Sequence, residues 1–130
     1  MKSALVLIAV LGLLWLGAAL WAGEEPVRVL TEFDAGSTLL LPPHRAFQIQ
    51  LERKAGEAKE WIWPRIDETI VRVAAPKTET RAPGRPETIV ETHSFTTVGP
   101  GTFLLYAELV DPRDHTRVYA RYPVTLQVTE

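Results

Sequence analysis

Two stretches of the chain alternate apolar and polar residues with a period of two. In residues 45–52 (RAFQIQLE), Phe47, Ile49 and Leu51 fall on one face, with Gln48 and Gln50 on the other. In residues 118–128 (VYARYPVTLQV), Val118, Ala120, Tyr122, Val124, Leu126 and Val128 share a face. Successive strand side chains point to opposite faces, so both stretches predict strands with one face in a core. Pro123 has no N–H to give a ladder, so its N–H side must be an edge or a bulge. Residues 27–33, 37–41, 61–63, 69–74, 88–97 and 102–110 are rich in β-branched and aromatic residues without clean alternation, and predict further strands.

Turn formers separate these runs: Gly36, Pro42 and Pro43, Gly56, Pro76, Pro83 and Gly84, the Gly99 to Gly101 triplet, and Asp111 to Asp114. Seven to eight short strands with turn signals every 8–15 residues predict an all-β, antiparallel sandwich or barrel. No window carries an apolar stripe at helical spacing; residues 51–61 have Gly56 in the middle. Residues 76–86 (PKTETRAPGRP), dense in Pro and Arg, predict a long, mobile loop.

A different pattern opens the chain. Residues 4–22 carry no charge, and Lys2 is the only charged residue before Glu24. A basic start, an apolar run and small residues at Gly17, Ala19 and Ala22 are the layout of a secretory signal. A run of this length also nearly spans a bilayer, so an uncleaved N-terminal anchor is the alternative and membrane contact would be through residues 4–22. Either way residues 1–22 form a signal helix or anchor, residues 23–130 one sandwich domain, and the domain is exported to the periplasm or the exterior. There are no cysteines, so a disulfide framework, a thiolate metal site and a thiol nucleophile are all excluded. An exported domain without disulfides must stand on its hydrophobic core.

Lys2 is one of 14 Lys and Arg residues against 16 Asp and Glu, so the domain's net charge is near −3. That balance argues against nucleic-acid binding, which needs a basic excess. His44, His93 and His115 stand apart, with no second His at metal spacing, so no metal and no cofactor are expected. His93 and Ser94 are neighbours on one strand and point to opposite faces, which is wrong for a base and its nucleophile. No catalytic residues are assigned and the chain is not expected to be an enzyme. Trp61 and Trp63 sit two apart and share a strand face; at least one is expected in the core. Arg53, Lys54, Lys59, Arg81, Arg85, Arg113 and His115 lie in or beside three connections, 53–60, 77–87 and 111–116. If these gather at one end they form a mildly basic rim, and loops on a rigid scaffold are where binding resides.

The order of elements resembles the chagasin-like family of inhibitors of papain-type cysteine proteases. The resemblance covers about residues 36–128. Gly36 to Leu41 followed by Phe47 to Leu51 resembles the family's opening strands. Trp61 falls where the family has a Trp after its first inhibitory loop, and Tyr122 to Val128 resembles its closing Phe-x-Val-x-Val strand. The inhibitory motifs are mostly replaced. Lys54, Ala55, Gly56, Glu57 and Ala58 stand in place of Asn-Pro-Thr-Thr-Gly. Gly84, next to Arg85, is the residue kept from Gly-x-Gly-Gly, and Pro112, next to Arg113, the one kept from Arg-Pro-Trp. The resemblance implies an immunoglobulin-like sandwich that inserts three loops into a protease cleft without covalent chemistry. It makes Lys54, Ala55, Gly56, Glu57, Trp61, Gly84, Arg85, Pro112 and Arg113 the partner-binding candidates, and a papain-like protease the expected partner. A non-inhibitory envelope module with the same fold and another protein partner is the alternative.

Overall fold

A computed structural model describes residues 26–130, and the leader expected over residues 1–22 lies outside them. Among the described residues eight strands form two sheets: β1 Arg28–Leu30, β2 Thr38–Leu41, β3 Ala46–Lys54, β4 Glu60–Ile62, β5 Val71–Ala82, β6 Arg85–Thr97, β7 Gly101–Asp111 and β8 Asp114–Val128. The sheet orders are β1-β3-β6-β5 and β2-β8-β7-β4.

The expected sandwich is present, but it is not wholly antiparallel. β1 runs parallel to β3 and β2 runs parallel to β8. The cause is the short connection between β1 and β2, which crosses from one sheet to the other instead of closing a hairpin. Its 3-10 turn, Glu32–Asp34, carries a full capping box: Thr31 accepts from Phe33 N–H, and its own N–H donates to the Asp34 carboxylate. The buried Tyr122 hydroxyl donates to the Thr31 carbonyl at 2.8 Å and ties the crossover to β8.

The two alternating stretches supply the centre of the core. Phe47, Ile49 and Leu51 of β3 face Tyr122, Val124 and Leu126 of β8, all essentially inaccessible. Phe47 stacks on Phe95 of β6 with ring centroids 5.3 Å apart. The alternation expected through Val118 and Ala120 does not continue inward: Ala120 is exposed. A bulge between Leu109 and Val110 shifts the β7–β8 register there, and the upper hairpin rises past the core. Pro123 occupies an edge-like position as expected. Its carbonyl accepts Gly36 N–H, so its nitrogen faces the same side, beyond the start of β2.

The stretch 76–86 is strand, not loop. β5 and β6 form a long hairpin closed by Pro83 and Gly84 alone. β5 is an edge strand that slips register around Pro76, between Ala75 and Thr78, so the missing N–H removes no interior hydrogen bond. Gly84 has φ +74, which a turn with Pro at its second position and a left-handed residue at its third requires.

Candidate functional site

The topology decides where the three connections go. β3 rises to Lys54, and β6 descends beside it with Lys54 opposite Thr88, so the β5–β6 turn lies at the same end. The chain then crosses to β4, where Glu60 pairs with Val110, next to the β7–β8 turn at Pro112 and Arg113. All three connections therefore meet at one end of the sandwich. Direct contacts bind them: Ala55 N–H donates to the Glu87 carbonyl at 2.8 Å, and the Lys59 ammonium lies 4.3 Å from the centre of the Tyr119 ring.

Each connection is shorter and stiffer than the sequence suggested. The first is residues 55–59, with Gly56 at φ +86. The third is a two-residue turn in which Asp111 accepts Arg113 N–H at 2.8 Å. Asp114 accepts both the N–H and the hydroxyl of Thr116, which holds the Asp114 carboxyl below its ordinary value. Lys54, Gly56, Glu57, Gly84, Arg85, Pro112 and Arg113 are exposed at this end and Ala55 is half-buried. Trp61 is also half-buried, packs on the core and donates its indole N–H to the Glu52 carbonyl at 3.1 Å.

The rim is less basic than its composition implied. Arg85 makes a bidentate pair with Glu52, both contacts 2.9 Å, and this hydrogen bonding holds the Glu52 carboxyl below its ordinary value. Lys59 pairs with Glu57 at 3.0 Å. Arg53 turns inward to Glu91 and Glu79. Arg113, its side chain 87% exposed, lies 4.0 Å from the Asp111 carboxylate. The Arg85 pairing draws the β5–β6 tip over the outer face of its sheet. A hollow of about 240 Å³ remains between that tip and the 3-10 turn, lined by Phe33, Pro83, Val90, Gln50, Glu32 and Glu52 among others. Burial beside Glu52 raises the Glu32 carboxyl above its ordinary value.

Beneath the first connection is a polar cluster that the sequence reading missed. Glu91 is fully buried and His93 nearly so, both facing the core from β6. Burial alone would raise the Glu91 carboxyl, but hydrogen bonds from His93 and Arg53 and the nearby Lys77 outweigh it and hold the value down at about 2. Arg53 Nε lies 2.5 Å and Lys77 Nζ 3.3 Å from the carboxylate. His93 Nε2 is 3.0 Å from Glu91 Oε1, and His93 Nδ1 is 3.1 Å from Trp63 Nε1. Ser94 alternates to the other face of β6, so this cluster holds no adjacent hydroxyl nucleophile. Among the described residues no group of three His, Cys, Asp or Glu side chains is arranged to hold a metal ion.

No protein-family model matches the chain, and no characterised protein matches it in sequence. Solved structures do match in three dimensions. The cysteine protease inhibitor EhICP2 from Entamoeba histolytica superimposes with a TM-score of 0.68 at 13% identity, over 78% of this chain and 95% of the inhibitor. Amebosin matches with a TM-score of 0.64 at 14% identity, over 81% of this chain and all of the other (100%). PbICP-C, solved in complex with falcipain-2, matches with a TM-score of 0.50 at 14% identity, over 82% and 95%. The sandwich is thus the fold that the resemblance to the chagasin-like inhibitors implied.

Proposed function

We propose that this protein is an exported inhibitor of papain-type cysteine proteases that blocks the cleft non-covalently with connections 55–59, 83–84 and 112–113. One observation carries the reading: the three connections converge at a single end of a sandwich sharing its fold with the inhibitor EhICP2. PbICP-C, of the same fold, was solved with falcipain-2 bound. Inhibition of this kind needs no reactive group. It needs a wedge whose shape is set before contact, because ordering loops on binding consumes affinity. The Pro83 and Gly84 turn and the Asp111-capped turn meet that need. Lys54, Ala55, Gly56, Glu57, Gly84, Arg85, Pro112 and Arg113 form the contact surface, and Trp61 supports it from below.

Titration of papain with the purified protein tests the reading. Reversible inhibition with no covalent adduct by mass spectrometry is expected. No inhibition at high micromolar protein refutes it and leaves the non-inhibitory envelope module, a reading favoured by the Arg85–Glu52 pairing that ties a loop cation back to the scaffold. N-terminal sequencing of the exported protein tests the leader: a start near Leu20 or Gly23 is expected from cleavage, and an intact Met1 means an anchor.

A further inference from the structure

The first connection is fixed at one end by the long strand β3 and at the other by β4, which has three ladder pairs and lies at the edge of its sheet. So short an edge strand is weakly held by its own ladder. Two indoles, one on β4 and one just after it, supply the rest of the anchorage. Trp61 donates to the Glu52 carbonyl on β3, and Trp63 donates to His93 Nδ1 on β6. Both bonds cross from one sheet to the other.

An indole nitrogen is only a donor, so His93 Nδ1 must be an unprotonated acceptor and the imidazole proton sits on Nε2, directed at Glu91. The bond to Trp63 therefore exists only while His93 is neutral. A second proton on the ring sets two N–H groups against each other at 3.1 Å. From this geometry we infer that His93 is a positioning residue for the first connection: its protonation releases Trp63, loosens β4 and weakens partner binding as pH falls.

The groups around the ring frame the balance. Glu91 on β6 faces Nε2 at 3.0 Å. Arg53 on β3 and Lys77 on β5 both pair with Glu91, and Glu79 on β5 pairs with both cations. Trp63 faces the ring edge-on, its centroid 5.4 Å away, and meets Phe95 at 4.9 Å. Loss of the hydrogen bond thus leaves a half-buried indole N–H without its imidazole acceptor.

The inference rests on the inhibitor reading only for its consequence, so two readouts separate the failures. The first follows the Trp63 indole N–H resonance from about pH 8 to about pH 5, the window in which histidines titrate. It is assigned by its absence in Trp63→Phe. The expected result is an upfield shift and exchange broadening on acidification. His93→Gln offers an acceptor and a donor but takes no proton, and its indole resonance should stay constant. The second readout is the papain inhibition constant across the same range, with papain's own rate recorded in parallel. It should weaken about three- to tenfold in the parent protein and stay flat in His93→Gln. If His93→Gln does not fold, Trp63→Phe takes its place, since it has no N–H to conflict with the protonated ring. A Trp63 resonance that ignores pH overturns the latch, as do equal profiles for parent and variant. Inhibition absent at every pH overturns the inhibitor reading while the resonance still decides the latch.

Discussion

Replacing Glu91 with Gln keeps the shape of the buried cluster and removes its negative charge. The size of the effect follows from the carboxyl's environment. Its ordinary value near 4.5 falls to about 2 in the fold, because hydrogen bonds from His93 and Arg53 and the nearby Lys77 charge outweigh the cost of burial. At about 1.4 kcal/mol per pH unit, the ionised carboxylate contributes at most about 3 kcal/mol to stability. A depressed carboxyl contributes fully above its unfolded value and loses that contribution as pH falls through the folded one. Glu91→Gln should therefore be about 2–3 kcal/mol less stable near pH 7, a loss of roughly 10 °C in Tm for a domain of this size. The gap should narrow from about pH 4.5 and nearly vanish by about pH 2. Urea unfolding followed by tryptophan fluorescence at several pH values measures it. A gap that is independent of pH, or below about 0.5 kcal/mol at pH 7, refutes the claim that this carboxylate is held charged in the core.

Three further outcomes follow from the same structure. Burial pushes the Tyr122 hydroxyl up to about 12. Tyr122→Phe should lose about 1 kcal/mol at neutral pH, and the gap should shrink and then reverse as pH climbs from about 10 toward 12, because only the parent must ionise on unfolding. Gly84→Ala meets no steric obstacle but must hold φ +74, so it should cost about 1 kcal/mol in urea titrations. Phe33, 92% exposed on the capped 3-10 turn, can become Ala with less than about 0.5 kcal/mol change in stability; a larger loss would mean the turn packs differently.

The parts of the fold visible in the sequence were those where one face is wholly apolar. Phe47, Ile49, Leu51, Tyr122, Val124, Leu126 and Val128 stand in the core as their alternation required. Residues 76–86 misled because an exposed edge strand and a loop share a composition. The distinction rests on pairing with β6, which no local pattern carries. The parallel edges were hidden for the same reason: a short crossover and a hairpin connection look alike until their partners are known. Glu91 and His93 do lie in phase with Phe95 and Thr97, so a strict period of two would have put them inside. What makes polar residues tolerable there is Arg53 of β3 and Trp63 just after β4, 38 and 30 positions away from their partners. The candidate loops were legible from their turn residues. Their convergence and the pairing of Arg85 with Glu52 were not.

The proposal that one end of the sandwich meets a protease is tested most directly by amide hydrogen exchange. The protein is mixed with papain inactivated at its nucleophile, so that the cleft stays open. Protection is expected at residues 55–59, 83–87 and 111–116, with none at the opposite end, where residues 42–45 and 98–100 turn. Protection at that opposite end, or none anywhere at saturating papain, would contradict it.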